Sequence, residues 1–190
     1  FGSVAEVGQR LAEVGYLDIA VARAGLLPGP AHDRFTLLVD AFRLVRAEKR
    51  GATAEVRSLA PQVLAGGGRA TGTDTNAGDG ALAITLTALG TAGPVDDSVD
   101  GEDAVEATLS AALAAATRAG LTCQQAMCEA HLAVVRALRG RLRDAEESAR
   151  SALGAPFSAS GCLARSHGLA HLALAGVRFQ QDQPDSCADH

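Results

Sequence analysis

His167 and His171 stand four residues apart in the segment RSHGLAHLALAG, a spacing that puts two imidazoles on one helix face, one turn apart. Such a pair can bind a metal. The zinc-peptidase form of the pairing needs a glutamate beside the first histidine to activate water. Gly168 holds that position, so the motif excludes peptidase chemistry. Structural or regulatory metal binding is what remains, against a simpler reading in which both rings line a helix contact among small residues. Cys162 lies five residues before His167 and could act as a thiol nucleophile with a neighbouring base, but no third member or oxyanion hole accompanies it. A metal- or thiol-dependent enzyme using His167, His171 and Cys162 is therefore the alternative reading, and a packed thiol beside packed histidines the preferred one.

The remaining candidates are weaker on their own chemistry. Gly67 to Thr73, GGRATGT, has the glycine skeleton of a phosphate loop without the lysine that meets the phosphates, and no strand precedes it. Asp74, Asn76 and Asp79 echo a calcium loop whose glycine and distal glutamate fall out of register. Asp96, Asp97, Asp100, Glu102 and Asp103 could meet a cation or basic partner, but read better as a solvated loop leading into a helix N-terminus. Arg136, Arg139, Arg141 and Arg143 cluster around one turn and could meet an anion, although solvated arginines are the norm at such turns. No catalytic residue and no cofactor is assigned.

What must position these residues is helical. The chain is 47% hydrophobic with only 3% aromatics and no Trp, so alanine and leucine carry the core, as in close helix-on-helix packing. An all-β fold would need far more aromatic and β-branched residues. A formal net charge of −5 argues against gripping nucleic acid, which needs a basic face. No apolar run reaches the roughly 18 residues that span a bilayer. Cys123, Cys128, Cys162 and Cys187 lack C-x-x-C spacing and read as free thiols. With no secretory signal, the expected location is cytoplasmic. A start at Phe1 and an end that looks like the opening of a helix suggest a longer parent.

Periodicity then divides the chain into helix pairs over about 1–30, 31–65, 81–119, 122–156 and 162–190. Pro28-Gly29-Pro30 ends the first pair. Asp33 caps a helix with Phe35, Leu38, Val39, Phe42 and Val45 on one face. Residues 65–80, AGGGRATGTDTNAGDG, read as a flexible glycine-rich linker. Val105, Leu109, Ala112, Leu113 and Ala116 form the inner face of the next helix. Thr122 caps another, with Met127, Ala130, Val134 and Leu138 inward. The clearest unit is LRGRLRDAEESARSAL, in which Gly140 is followed by Ala145, Ala149 and Ala152. Gly15 precedes Ala20 and Ala24, and Gly51 precedes Val56, Ala60 and Val63 at comparable offsets.

Leu132 and Ala133 on a first helix, the Gly140 turn, Ala145, Ala149 and Ala152 on a second, and Pro156 beyond them resemble the tetratricopeptide repeat. The family's aromatic positions are missing, and Arg136 stands where a Tyr is common. The spacings are also longer than the usual repeat of about 34 residues. The phrases ATRAGL at 116–121 and LARSHGLAHLALAGV at 163–177 give the chain a further likeness to the helical repeat region of MalT-like and LuxR-type bacterial ATPase regulators. The resemblance implies an all-α, right-handed superhelix (solenoid) of antiparallel helix pairs. It further implies a non-catalytic sensor or protein-interaction segment, binding a protein, a peptide or a small effector on its concave face, with oligomerisation open. ATPase and DNA-binding modules would lie elsewhere in the parent. A stand-alone tetratricopeptide-like scaffold is the other non-enzymatic reading.

Overall fold

A computed structural model of the chain describes residues 29–70, 75–92, 99–155 and 161–181. Among these there are seven helices and no strand: α1 (Gly29–Lys49), α2 (Thr53–Ala70), α3 (Thr75–Thr91), α4 (Val99–Arg118), α5 (Thr122–Leu138), α6 (Leu142–Leu153) and α7 (Gly161–Gln180). The all-α expectation holds. The helix pair expected around Gly15 and the helix expected after Pro184 lie outside the described residues. No described helix is long and apolar enough to cross a membrane.

One turn is used three times. Gly51, Gly120 and Gly140 have φ of 68°, 66° and 72°, the left-handed conformation that glycine adopts without a Cβ penalty. Behind each, a backbone N–H reaches five residues back: Ala52 to Ala47 O at 2.9 Å, Leu121 to Ala116 O at 2.9 Å, Arg141 to Arg136 O at 3.0 Å. This bond closes a helix with a glycine after its C-cap. The residue that closes one helix opens the next, since Ala52, Leu121 and Arg141 each accept the first N–H bond of the following helix. The expected Thr122 cap gives way to this arrangement: Leu121 is the N-cap and makes no side-chain capping bond.

Small residues set the helix separations. Ala145, Ala149 and Ala152 are fully buried, as are Val56, Ala60 and Val63 to within 2% exposure, so the recurring offsets are packing positions. Ala130 and Ala133 of α5, Ala149 and Ala152 of α6, and Ala170 and Ala173 of α7 form one alanine-faced cluster. Gly90 serves the same purpose between α3 and α4, where a Cβ would fall 2.6 Å from Leu109 Cδ2.

The glycine-rich stretch expected as a linker is largely helix. α2 continues to Ala70 and α3 begins at Thr75, leaving only 71–74 outside the described residues. Gly66 explains part of this, since a Cβ there would sit 3.1 Å from Leu37, and Gly78 is buried. These glycines allow close approach between helices. Pro30 falls in the first turn of α1, where its missing N–H costs nothing, and Asp33, expected as a cap, is inside that helix; the helix expected to end before Pro28 lies outside the described residues. Two helix faces match expectation in part: Val39 and Phe42 of α1 and Met127 and Ala130 of α5 are buried as expected. Leu37, Ala41, Leu44 and Ala47 carry the α1 core while Phe35 and Val45 are only half-buried, and Leu138 of α5 is 81% exposed. At the end of α5 the inward residue is Ala137, next to the expected Leu138.

Every substantial helix contact joins first or second neighbours along the chain. The second-neighbour contacts are confined to α1, α3, α5 and α7. The odd helices thus form one layer. The even helices α2, α4 and α6 cover it on the other side and stand apart from one another. Two kinds of surface result: the free face of the odd layer, and clefts between the even helices.

Candidate functional site

His167 and His171 sit mid-way along α7, both rings half-buried, one turn apart as the spacing requires. Among the described residues no group of three His, Cys, Asp or Glu side chains converges as a metal site. The Cys162 side chain lies outside the described residues, so the thiol pairing is not seen. Of the phosphate-loop candidate, Gly67 to Ala70 belong to α2, and the rest is outside the described residues. Asp79, the calcium-loop candidate that is described, is held by Arg118 through Nη2 at 2.7 Å and Nε at 3.0 Å. It is an ion-pair residue of the α3–α4 contact. Asp74 lies outside the described residues, as do Asp96 and Asp97 of the acidic loop.

The arginine cluster is where sequence and structure diverge most. Arg136 and Arg139, both half-buried, and the more exposed Arg141 are turned onto one carboxylate, Glu106 of α4. Arg136 Nε reaches Oε1 at 3.1 Å, Arg139 Nη1 reaches Oε2 at 2.7 Å, and Arg141 Nη2 also meets Oε2. Arg139 additionally pairs with Asp103 at 2.9 Å, and Arg136 Nη1 donates to Ser148 Oγ of α6 at 2.6 Å. Burial alone would raise the Glu106 pKa. The hydrogen bonds and charges of Arg136 and Arg141 outweigh it and hold the carboxyl below its ordinary value. The cluster is an internal lock between α4, α5 and α6, with its positive charge largely consumed. Arg143 stays exposed.

The free face of the odd layer holds a small cleft of about 60 Å³, lined from all four odd helices by residues including Val45, Ile84, Met127 and Arg165. Arg165 of α7 crosses to Glu48 of α1 at 3.1 Å, strapping the first and last described helices together. Near it His131 is held neutral. Burial first, then the charge of Arg165, pushes its pKa down to about 4, and its Nε2 makes no hydrogen bond among the described residues. Cys128 is a free, buried thiol 3.2 Å from Thr87 Oγ1, and burial pushes its pKa up to about 11, which makes it a poor nucleophile. Cys123, expected as a free thiol, is disulfide-bonded. Sequence spacing does not register proximity made by tertiary packing.

On the other side, α4 and α6 make no substantial contact with each other, and α5 floors the gap between them. The Glu106 lock fills one end of this outer cleft. The other end is an open cavity of about 450 Å³ lined by Leu113 and Thr117 of α4, Gln125, Ala126 and Glu129 of α5, and Ser151 of α6, among others. Among the described residues its one charged lining group is Glu129, whose Oε1 accepts a long 3.4 Å hydrogen bond from Ser151 Oγ.

Sequence reading missed Glu106, Glu129, His131 and the Glu48–Arg165 strap. Glu129 carried no signal at all, because a lone glutamate on an amphipathic helix is indistinguishable from a solvated one. Comparison with protein-family models, with curated proteins and with solved structures found no match.

Proposed function

We propose that this chain is a non-catalytic helical-repeat segment whose odd-helix face docks a protein or peptide partner. The observation that carries the reading is the layering. Second-neighbour contacts restricted to α1, α3, α5 and α7 are what a curved stack of helical pairs makes on its inner side, and such stacks use that side for recognition. The recurring Gly51, Gly120 and Gly140 turns and the alanine contacts support the same reading, because the repeated positions are packing positions. A cleft of about 60 Å³ is well below the roughly 300 Å³ at which ligand pockets begin, which favours an extended partner over a small effector on this face.

The fuller form of the proposal, carried by the resemblance, is the sensor arm of a LuxR-type bacterial regulator working in the cytoplasm, with a tetratricopeptide-like right-handed superhelix. Selection of displayed peptides against the purified protein tests the docking face. Enriched peptides are expected to lose binding when Gln124 or Thr91, both on the odd face, is changed to Arg. Peptides insensitive to both changes would place recognition elsewhere.

A further inference from the structure

The odd layer is not the only recognition surface. We propose that the open end of the outer cleft binds a guanidinium group, with Glu129 as its counter-ion. This goes beyond the docking reading above and uses none of its residues.

The first observation concerns how this protein treats carboxylates. Six described Asp and Glu residues are half-buried: Asp40, Glu48, Asp79, Glu106, Glu129 and Glu146. Five carry an arginine. Asp40 pairs with Arg43 at 2.9 Å, Glu48 with Arg165 at 3.1 Å and Asp79 with Arg118 at 2.7 Å; Glu146 pairs with Arg150 at 2.7 Å and Arg178 at 2.8 Å, and Glu106 takes three arginines. Of these six, Glu129 alone has no cation among the described residues, only the Ser151 hydroxyl. A carboxylate drawn partly out of water and left unpaired is costly, so partly buried charges are normally matched.

The second observation is the internal precedent. At the filled end of the same cleft, the Arg136 guanidinium lies between a carboxylate, Glu106, and a serine hydroxyl of α6, Ser148. At the open end, Glu129 offers the carboxylate, and Ser151, one turn further along α6, offers the hydroxyl. The two ends present the same acceptor pair. One is occupied by the protein's own guanidinium and the other opens onto a cavity.

The cavity decides the size and kind of ligand. A volume of about 450 Å³ falls within the roughly 300–1,000 Å³ of small-molecule sites. A bare metal ion needs several oxygen ligands close together, and one carboxylate does not supply them. The polarity also has the right sign. The C-terminal ends of α4 and α6, near Thr117 and Gly154, border the cavity with roughly half a negative charge each, against one positive end at the start of α5. Leu113 and Ala126 give an aliphatic chain something to lie on. The ligand class is therefore an alkylguanidine, either a free guanidino compound or the arginine side chain of a partner.

Titration of the full chain with n-butylguanidinium, followed by amide NMR shifts, tests the proposal against the neutral isostere n-butylurea. Saturable shifts centred on Ala126, Glu129 and Ser151 are expected with butylguanidinium and none with butylurea. Glu129→Gln should weaken binding at least tenfold, as loss of a charge-assisted contact does, while Glu147→Gln on the exposed side of α6 leaves it unchanged. Thr117→Arg, which offers the cavity an arginine from α4, should abolish binding with the fold intact by circular dichroism. Agmatine and an acetylated Ala-Arg-Ala amide then separate the sources: tighter binding of the first assigns a free guanidino compound, tighter binding of the second a partner's arginine. Equal affinity for butylguanidinium and butylurea, or affinity unchanged in both Glu129→Gln and Thr117→Arg, would overturn the assignment.

Discussion

The two ends of the outer cleft share a floor, α5, and walls, α4 and α6, yet they meet the same physical problem in opposite ways. Glu106 is surrounded by three guanidinium groups and a neighbouring serine, and that end is filled. Glu129, two turns before Arg136 on α5, has a hydroxyl and an opening. A third solution stands on α5, where the half-buried His131 lies near Arg165 and escapes the penalty by remaining neutral. Pairing, exposure to an open cavity, and neutralisation are the three ways a fold can hold a titratable group. The first is a structural lock and the third a packing compromise. Only the second leaves a group available to something outside the chain.

Removing the charge at the locked end should have the largest effect. Glu106→Gln leaves three arginines facing one another across α4, α5 and α6, with Asp103 beside Arg139 and Asp144 at 3.9 Å from Arg141 as the remaining counter-charges. We expect a loss of roughly 3–4 kcal/mol, in the range for breaking a partly buried ion-pair network. Urea unfolding followed by circular dichroism measures it. A loss below about 0.5 kcal/mol, the size of an ordinary surface substitution, would show that the network is decorative.

His131 gives the next effect, and its sign is fixed by the direction of its shift. The folded pKa near 4 is below the usual 6.5, so the unfolded chain binds more protons between these values and stability falls as pH drops from about 6.5 towards 4. At 1.36 kcal/mol per unit the full loss is about 3 kcal/mol. Glu106, whose pKa is also lowered, adds its own loss at still lower pH, as the carboxylate takes up its proton. Unfolding curves at pH 7 and pH 4.5 should separate, and His131→Gln should bring them closer. Identical pH dependence in the two proteins would show that the ring is solvated.

The turns offer a smaller test of how the lock is held. Gly140 stands between Arg139 and Arg141, so its left-handed backbone aims both side chains at Glu106. Alanine at Gly51 or Gly140 should each cost about 1 kcal/mol for the positive φ. Combined with Glu106→Gln, however, Gly51→Ala should be additive and Gly140→Ala should not, because only the latter shares partners with the carboxylate. Equal coupling in both double variants would mean that the arginines find Glu106 without help from the turn.

These contrasts explain what was legible in the sequence. The Gly51 and Gly140 turns and the alanines behind them could be read directly, because a left-handed residue and a close helix contact each restrict the residue type at one position. Glu106 could not be read, since its arginines lie 30 to 35 positions away and the choice between a solvated arginine and a locked one is made by tertiary packing. The glycines at 66–68 misled for a related reason. A glycine that permits close helix approach looks the same in sequence as one that breaks a helix, and Leu37 against Gly66 makes the difference. The steps of three and four from Met127 through Ala130 and Val134 place Leu138 inward, although Ala137 beside it is the buried residue.

The smallest expected effect is the most informative about the comparison. Glu129→Gln is the same chemical change as Glu106→Gln, on the next helix of the same cleft, and it should alter stability by less than about 0.5 kcal/mol, because no cation is stranded when the charge is removed. A slight gain is the natural direction, since the substitution removes an unpaired charge that sits near two helix C-termini. The measurement is the same urea series used for Glu106. A loss approaching that of Glu106→Gln would mean that Glu129 is held by interactions the fold needs, and the open end would then be as much a part of the lock as the filled one. A neutral result, with the two variants several kcal/mol apart, separates a carboxylate that serves the fold from one that is free to serve a ligand.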